Sequence, residues 1–447
     1  MLRRHEMALL STVGTLLCYA DRTNIGVALP SFEPDHAKQG RILSAFFYGY
    51  ICTQMLGAHW AFMHGPKRVL LLGVCVWTLF DLLTIPMAST PALLWLVRAG
   101  MGLGEGILFP SLHVVAASWY PVSERSRLMS FVSSGVDLGT ILSMSVAPLL
   151  LSSFGWPSIF FTFGGLSVLW LLAFVWRGSS NPETDKFISL AEKAAILSQR
   201  DVFSANHKAM SSQRHVLSTR RLLSSRGAWA IYSAHFAFNY GWYVLLGWMP
   251  LYFREKLHVP LAYSGLACPY VAGYVGVLFW GVVSDKCIQA GRKPLVIRKA
   301  MNAVGLVGAA ACFGLLRFTQ STSAAVGMLS LALFLGRAAT LGYWVHMVDV
   351  SPAHAGHIMG ISNTIGTVPG IVGNLFTGWM LSRSNNNWDV VFGVVAAVLV
   401  GGAAVFHCWA TDHLDDDGDH AKKDLMATNL LDSDDDELHL ERDEFFI

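Results

Sequence analysis

The chain has 447 residues, of which 53% are apolar and only 14% are charged, whereas an ordinary soluble domain carries about 25% charged residues. So few charges cannot cover the surfaces of the roughly three soluble domains that this length would otherwise predict. Apolar stretches of about twenty residues recur along nearly the whole chain, and this is the length that a helix needs to cross a bilayer core of about 30 Å. The composition argues against a soluble enzyme, a nucleic-acid binder and a disulfide-stapled secreted domain, and it predicts a polytopic membrane protein.

Hydropathy predicts twelve membrane spans, six on each side of a polar stretch of about fifty residues. They lie at 7–29, 40–62, 68–88, 91–118, 127–150, 157–177, 228–253, 262–287, 295–317, 322–349, 355–382 and 387–410. We therefore expect an amino-terminal six-helix half at 1–177 and a carboxy-terminal six-helix half at 228–410. A cytoplasmic central loop at 178–227 joins them, and its stretch from Leu190 to Val202 is compatible with a surface helix.

Charge is distributed unevenly along the chain. Residues 411–447 carry a net charge of −11 and residues 1–410 a net charge of +13, so the tail is expected to be solvated and disordered. Lys and Arg accumulate in the loops on the side of the N-terminus, which predicts that both termini are cytoplasmic. A plasma membrane and an organelle membrane satisfy this bias equally. The seven cysteines lack paired spacing, so we expect packing residues, with no disulfide framework and no metal site.

The two halves resemble each other at one loop. Gly57 to Arg68 joins spans two and three, and Gly281 to Lys293 joins spans eight and nine; each begins with Gly and ends with Gly and basic residues. Duplicated halves predict a solute site near the membrane midplane between the repeats, with alternating access.

Ionisable residues inside the spans are the main functional candidates, because each costs at least about 2.5–3.5 kcal/mol in the hydrocarbon. The basic ones are Arg22, Arg98 and Arg337. The acidic ones are Asp21, Glu105 and Asp137, with Asp81 nearer an outer end.

Helix geometry predicts that two of these arginines are level. Arg98 and Glu105 are seven residues apart, so they share one helix face with about 10.5 Å of rise between them. Spans one and four run in opposite directions, which places Arg22 and Arg98 each about 10 Å below the outer boundary. Two level guanidinium groups facing one cavity suit a carboxylate or phosphate. Asp21 and Glu105 are then the candidate proton carriers.

Structural readings remain open for these charges. Arg22, Asp21, Arg98 and Glu105 also fit permanent ion pairs that fix helix packing, although buried pairs stabilise weakly. Asp137 and Arg337 fit a packing role or a water-filled cavity as well as a direct solute contact.

Several segments together resemble a known family. Tyr19–Pro30 (YADRTNIGVALP), Arg98–Gly106 (RAGMGLGEG), Trp119–Arg127 (WYPVSERSR), Asn239–Tyr243 (NYGWY) and Met359–Thr367 (MGISNTIGT) are similar to motifs of the anion:cation symporter family within the major facilitator superfamily. That family includes bacterial sugar-acid/proton symporters, plant phosphate and organic-anion transporters, and animal sodium/phosphate, sialic-acid and vesicular glutamate carriers. The resemblance covers nearly all of residues 7–410 and implies an all-α fold of two pseudo-symmetric six-helix halves.

The resemblance also implies roles for single residues. Arg22 and Arg98 correspond to the arginines that contact the anion, and Asp21 and Glu105 to the acids that carry protons in proton-coupled members. Phe238 stands where vesicular glutamate carriers have an arginine, so glutamate is a less expected solute.

Other family positions are changed or ambiguous here. His113 matches a fourth-helix histidine, but it lies near the inner end, where packing explains it equally well. Phe62 replaces a gating acid whose counterpart in the second half, Asp285, is present, and Arg337 has no counterpart in the family pattern. We expect gating roles at the loops for Arg68, Glu124, Arg125, Arg127 and Asp285.

Polar and aromatic residues in the spans are candidates for further solute contacts, with packing or the interfacial aromatic belt as the alternative. They are Tyr48, Tyr50, Asn239, Tyr240, Tyr243, Ser362 and Asn363.

The sequence as a whole predicts a secondary active transporter of a small organic anion or inorganic phosphate, driven by proton symport. A sodium-coupled or potential-driven carrier of the same fold is one alternative, and a non-transporting nutrient receptor is another. No cluster of His, Cys or Asp at catalytic spacing points to an enzyme. We expect a monomer in lipid that binds no nucleic acid and no cofactor beyond the coupling ion, H⁺ or Na⁺.

Overall fold

The computed structural model describes residues 2–198, 219–260, 263–351, 355–412 and 414. Twelve long helical segments, α1 to α12, and no strand occur in this part of the chain. The first six are α1 Arg3–Ala28, α2 His36–His64, α3 Pro66–Met87, α4 Pro91–Gly106 continued by Leu108–Trp119, α5 Val122–Phe154 and α6 Pro157–Arg177. The others are α7 Arg226–Lys256, α8 Cys268–Gln289, α9 Pro294–Leu315, α10 Thr322–Ala339 continued by Thr340–Trp344 and Val345–Val350, α11 Ala355–Arg383 and α12 Trp388–Trp409.

Shorter helical pieces lie between these segments. Three 3₁₀ turns cover Leu29–Ser31, Ser264–Ala267 and Leu316–Phe318, and the predicted central loop contains helices at 190–198 and Thr219–Ser224. The rest of the predicted surface helix and nearly all of the predicted acidic tail lie outside the described residues. Below, the amino-terminal face is the side of the bundle on which α1 begins, and the opposite face is the side on which α1 ends.

Helix starts follow from local chemistry. Proline occupies an initial position of α3, α4, α6, α8 and α9, where its missing N–H removes no helical hydrogen bond. Asp35 caps α2 by accepting from the backbone N–H groups of Ala37 and Lys38, and Ser225 caps α7 by accepting from Ala228. Each cap satisfies backbone donors that the first turn of a helix leaves unpaired.

Eight of the described helices are long and apolar enough to cross a membrane by length and composition alone: α3 to α6, α8 to α10 and α12. The remaining four, α1, α2, α7 and α11, are long but carry more polar residues at their centres. These four helices form much of the contact between the two halves, where α2 packs on α11 and α1 packs on α7, and α5 also contacts α8. Their polar faces are therefore turned away from lipid, as expected for helices that border a central site.

The two halves repeat the same helix pairings. The contacts α1–α5, α2–α4 and α3–α6 of the first half reappear as α7–α11, α8–α10 and α9–α12 in the second. The pseudo-symmetric arrangement predicted from the duplicated loop is therefore present in the packing.

Helix boundaries depart from the predicted spans in three ways. α2 and α5 extend several residues beyond the predicted 40–62 and 127–150, because hydropathy detects only the apolar part of a helix. α4 is interrupted at Ile107, two residues after Glu105. α10 contains a π-helical turn at Thr340–Trp344, an irregularity that hydropathy cannot detect.

Glycine brings α2 and α4 into unusually close contact. A Cβ atom on Gly49 would collide with the backbone oxygen of Ala99, and one on Gly102 would collide with the backbone oxygen of Phe46. Small residues allow this approach between membrane helices. The approach holds the Arg98 segment of α4 against Phe46 of α2.

Candidate functional site

A small cavity lies between the two halves, and both predicted arginines line it. Its walls are formed by α1, α2 and α4 from the amino-terminal half and by α7 and α11 from the carboxy-terminal half; the lining residues are Arg22, Ile25, Leu43, Phe46, Phe47, Arg98, Tyr243, Leu246, Gly247 and Asn374. Its volume is about 30 Å³, and a single water needs at least about 10–15 Å³ on this scale. The cavity is therefore the size of a few waters, smaller than a sugar acid.

Arg22 is held by an acid and surrounded by rings. Its Nε and Nη2 donate to Oε2 of Glu105 at 2.9 and 2.8 Å, and Cys18 Sγ contacts the same oxygen at 3.1 Å. The guanidinium carbon also lies 4.3 Å from the ring centre of Tyr19 and 4.9 Å from that of Tyr50. These ring faces attract a cation in desolvated surroundings.

Arg98 has a different environment, although it faces the same cavity. Its Nη1 lies 2.9 Å from Met101 Sδ, its guanidinium carbon lies 5.6 Å from the ring centre of Phe46, and its side chain forms no ion pair within 4 Å among the described residues. The Nε atom is buried without a hydrogen-bond partner there. Unpaired donors of a buried guanidinium are costly. This arginine thus has free donor capacity for an anion.

Asp21 does not face the cavity. Adjacent residues on a helix point about 100° apart, and Asp21 is turned toward α6, where Ser167 Oγ donates to its Oδ2 at 2.8 Å. The neighbouring layer contains Asp81 of α3, which accepts a hydrogen bond from Asn24 Nδ2 at 3.4 Å. The structure therefore separates the two predicted proton carriers, placing Glu105 on the Arg22 side of α1 and Asp21 on the other side.

Several predicted solute contacts lie elsewhere in the packing. Asn239 Nδ2 donates to the Gly366 backbone oxygen at 2.7 Å, which joins α7 to α11. Ser362 is fully buried, and its Oγ lies 2.9 Å from Nδ1 of His235.

The other predicted contacts also do not line the described cavity. Tyr48 is 39% exposed and packs on Trp95. Tyr240 is buried in the carboxy-terminal core, and Asn363 is half-buried on α11.

Tyr243 lines the cavity as expected. Tyr50 does not line the cavity, but its ring packs against Arg22. Asn374, Phe46 and Phe47 also line it but were not predicted. One sequence signal was present for Asn374: it follows Asn363 by eleven residues, about three helical turns, and so shares its face of α11. Its Oδ1 accepts from Trp248 Nε1 at 2.9 Å.

Asp137 and Arg337 form an ion pair between the halves. Asp137 Oδ1 of α5 contacts Arg337 Nη2 of α10, and both side chains are nearly buried. Arg337 also lies over the Trp242 ring at 4.4 Å and borders a second, mostly apolar cavity of about 30 Å³ that includes Phe238.

The predicted gating residues are at the amino-terminal face. Glu124 accepts from Arg4 Nε at 2.8 Å and lies 3.9 Å from Arg127, while Arg125 Nε donates to the Tyr120 backbone oxygen at 3.3 Å. The hydrogen bond from Arg4 holds the pKa of Glu124 below its usual value.

The remaining predicted residues of that face are exposed. They are Arg68, Asp285 and His113, whose Nδ1 lies 2.8 Å from the Phe109 backbone oxygen. Beside Asp285, Ser284 contacts Arg298, which pairs with Asp349 at 2.7 Å. The pairs described at this face join helices of the same half.

At the opposite face, by contrast, contacts cross between the halves. Arg254 Nη1 of α7 donates to the Pro30 backbone oxygen at 2.9 Å, and His36 Nε2 of α2 lies 2.8 Å from Glu255 Oε1 of α7. Glu255 Oε2 also accepts from Trp388 Nε1. We call His36, Glu255, Arg254 and Pro30 the opposite-face latch, which closes the bundle on that side.

Known proteins share this architecture. A bacterial homologue of the human lysosomal transporter Spinster superposes with a TM-score of 0.72 at 20% identity, covering 92% of this chain and 97% of its own. The xylose transporter XylE from E. coli gives a TM-score of 0.71 at 14% identity, covering 91% and 96%. These likenesses support the predicted twelve-helix fold.

Sequence relatives extend over most of the chain. It is 35% identical over 419 residues to the chloroplastic ascorbate transporter of Arabidopsis thaliana, covering 92% of this chain and 75% of that protein. It is 31% identical over 449 residues to human sialin, covering 91% of this chain and 89% of that protein. The chloroplastic sodium-dependent phosphate transport protein 1 of Arabidopsis thaliana is 32% identical, covering 92% and 79%.

The family model of the Major Facilitator Superfamily matches residues 12–374, from α1 to α11. This match, the relatives and the fold agree with one another and confirm the family resemblance read from the motifs. The chain is a multi-pass integral membrane protein that belongs to the Major Facilitator Superfamily.

Proposed function

We propose that this protein is a secondary active transporter that moves a small organic anion or inorganic phosphate by proton symport with alternating access. The observation that carries the proposal is that Arg22 and Arg98 line one cavity between the two halves. Two guanidinium groups supply the bidentate donors that a carboxylate or phosphate group prefers. The names of two relatives, an ascorbate transporter and a phosphate transport protein, agree with an anionic solute.

Arg98 is the first contact for the anion in this mechanism. It has unpaired donor capacity, whereas Arg22 is engaged by Glu105. An anion that also recruits Arg22 must displace Glu105. A buried carboxylate that loses its cation is costly, so Glu105 takes up a proton at this step. Entry of the anion and entry of the proton are thereby linked.

Alternating access explains the size of the cavity. A volume of about 30 Å³ holds only waters, so solute entry requires the halves to separate on one side. The opposite-face latch crosses between the halves, whereas the ion pairs described at the amino-terminal face stay within one half. Rocking of the halves about the central site would admit the solute from one side of the membrane at a time, as expected for repeated halves in a transporter.

The test is uptake into proteoliposomes with an imposed pH gradient. Labelled phosphate, ascorbate, sialic acid and a sugar acid are supplied separately, and we expect one of them to accumulate only when the gradient is present. Arg98→Lys should raise the concentration for half-maximal uptake about tenfold or more, because lysine cannot bind bidentately. Arg317→Lys, at an exposed position after α9, is the matched control and should leave uptake unchanged.

The alternatives give different results in the same assay. Accumulation that follows a sodium gradient and ignores pH would assign sodium coupling, and accumulation that follows only membrane potential would assign a potential-driven carrier. A protein that binds an anion but catalyses neither uptake nor exchange would be a receptor, and the proposal would be wrong.

A further inference from the structure

A second cluster of acids lies on the far side of α1 from the solute cavity. Asp21 and Asn24 are three residues apart and share one face of α1, where Ser167 of α6 donates to Asp21 and Asn24 donates to Asp81 of α3. Asp81 also approaches α6: a Cβ atom on Gly164, one turn before Ser167, would lie 3.6 Å from Asp81 Oδ2. The three helices therefore bring both carboxyl groups into one layer.

This cluster is closed to solvent and short of hydrogen-bond donors. Asp21, Asn24, Asp81 and Ser167 each have 0% exposure. Three of their oxygens, Asp21 Oδ1, Asp81 Oδ2 and Asn24 Oδ1, are buried with no hydrogen-bond partner among the described residues. The indole Nε1 of Trp77 is close to Asp21 but lacks hydrogen-bond geometry. Buried polar groups are normally paired, so the cluster lacks donors.

The cluster also lacks a counter-charge in contact. Neither Asp21 nor Asp81 forms an ion pair within 4 Å in the described part of the chain, and Arg22 faces the other side of α1. The charged groups of α4 that influence the cluster electrostatically are Arg98 and Glu105. Two ionised carboxylates buried together without a bound cation are costly, and carboxyl pairs of this kind share a proton. A proton supplies a donor and removes a charge at once.

We propose that Asp21 and Asp81 share one proton in this buried layer, and that Asp81 is a proton-binding residue that acts on the solute site through Arg98. The acid pair and the solute thus lie on opposite sides of α1. The role in transport rests on the proposed function above, whereas the shared proton does not.

Arg98 provides the link between the two sites. It lines the solute cavity, and its charge interacts with Asp81. An anion beside Arg98 offsets that positive charge, which strengthens proton binding at the acid pair. Linkage is reciprocal, so a protonated pair leaves more of the Arg98 charge for the anion and raises its affinity.

The shared proton is tested without any solute by infrared spectroscopy at neutral pH. We expect a band of a protonated carboxyl group that disappears in Asp81→Asn and in Asp21→Asn. The pair with one shared proton has a net charge of −1, and in either variant the single remaining carboxylate has the same charge when it is ionised, so it needs no proton. Two variants are used so that poor folding of one leaves the other to decide. Asp389→Asn, at an exposed carboxyl group at the start of α12, is the control and should retain the band. A band that survives both cluster variants overturns the inference.

The coupling role is tested by transport. In Asp81→Asn we expect pH-driven accumulation of the anion to fall at least tenfold while exchange of internal for external anion continues. Accumulation equal to that of the unaltered protein would overturn the role of Asp81 in coupling, even if the infrared band behaves as expected. Absence of both accumulation and exchange in the unaltered protein would instead contradict the proposed function. Accumulation that follows a sodium gradient and ignores pH would overturn the role of the shared proton in transport.

Discussion

Two guanidinium nitrogens of Arg22 bind the same carboxylate oxygen of Glu105. Nε and Nη2 both donate to Oε2, at 2.9 and 2.8 Å, while Oε1 has no hydrogen-bond partner among the described residues. Both side chains are buried, and removing one partner of a buried pair costs about 3–5 kcal/mol. A solute anion therefore competes with Glu105 for Arg22, and this competition is the basis of the first prediction.

Glu105→Gln should separate binding from coupling. The amide cannot carry the coupling proton, so we expect pH-driven accumulation to be lost while anion exchange continues. The variant also removes the carboxylate that competes with the anion for Arg22. The affinity for the anion should rise about tenfold if this competition costs about 1.4 kcal/mol. Uptake and exchange in proteoliposomes measure the first effect and equilibrium binding the second. Glu183→Gln, at an exposed loop position, should change neither, and unchanged accumulation in Glu105→Gln would contradict the mechanism.

The ion pair between Asp137 and Arg337 should behave as a coupled unit. Asp137→Asn or Arg337→Met alone leaves an uncompensated charge between the halves, and each should lower the free energy of unfolding by about 3–5 kcal/mol. The double variant should recover much of this loss, because no unpaired charge remains. Thermal unfolding in detergent over the full double-mutant cycle measures the coupling. Additive losses would show that the two side chains do not stabilise each other.

The opposite-face latch should control opening on that side. Glu255→Gln weakens the contact with His36, and we expect the mean distance between spin labels at exposed positions 38 and 258 to lengthen, with a larger fraction of separated molecules. Lys256→Gln removes a neighbouring exposed pair with Asp389 within the carboxy-terminal half and serves as the control, since it should leave the distances unchanged. Identical distance distributions in Glu255→Gln and the unaltered protein would exclude a latch.

Acidification should weaken the polar network at the amino-terminal face. Hydrogen bonds from Arg177 and Arg4 lower the pKa values of Glu6 and Glu124. Burial opposes ionisation of Asp185, but hydrogen bonds from Arg3 and the Phe187 N–H outweigh it and lower its pKa as well.

The direction of this pH effect follows from the linkage between protonation and folding. These three carboxyl groups have lower pKa values in the folded protein than in the unfolded chain. They therefore stabilise the fold fully above their pKa values in the unfolded chain, about 4 to 4.5. This stabilisation is lost as the pH falls through their pKa values in the folded protein. The melting temperature should therefore decline below about pH 4.5, and Arg4→Gln should lower it at pH 7 and reduce that decline. A decline of equal size in Arg4→Gln would contradict this assignment.

Much of the fold was predictable because membrane burial imposes a strong and simple pattern. Twelve spans, the six-plus-six division and the duplicated loop all came from hydropathy and repetition. The break in α4 at Ile107 and the π-helical turn in α10 did not, because both depend on local hydrogen bonding that apolar content does not report.

The candidate site was predictable in part. Arg22 and Arg98 meet at one cavity, as their equal depth on antiparallel helices indicated. Asn239 and Ser362 were expected at the solute site but pack between helices, because a polar residue on a membrane helix is equally able to bond a neighbouring helix. Asn374 and Asp81 lay on faces whose partners the sequence alone does not identify.

The amino-acid sequence by itself determined that this chain crosses a membrane many times, and that its rare buried charges are costly enough to require partners. Only the tertiary structure decided which partners they have. Asp21 and Arg22 are adjacent in the chain but point about 100° apart, and the rotation of α1 against α3, α4 and α6 sends one to Asp81 and Ser167 and the other to Glu105. That rotation is set by packing with the surrounding helices, and hydropathy along a single helix carries no record of it.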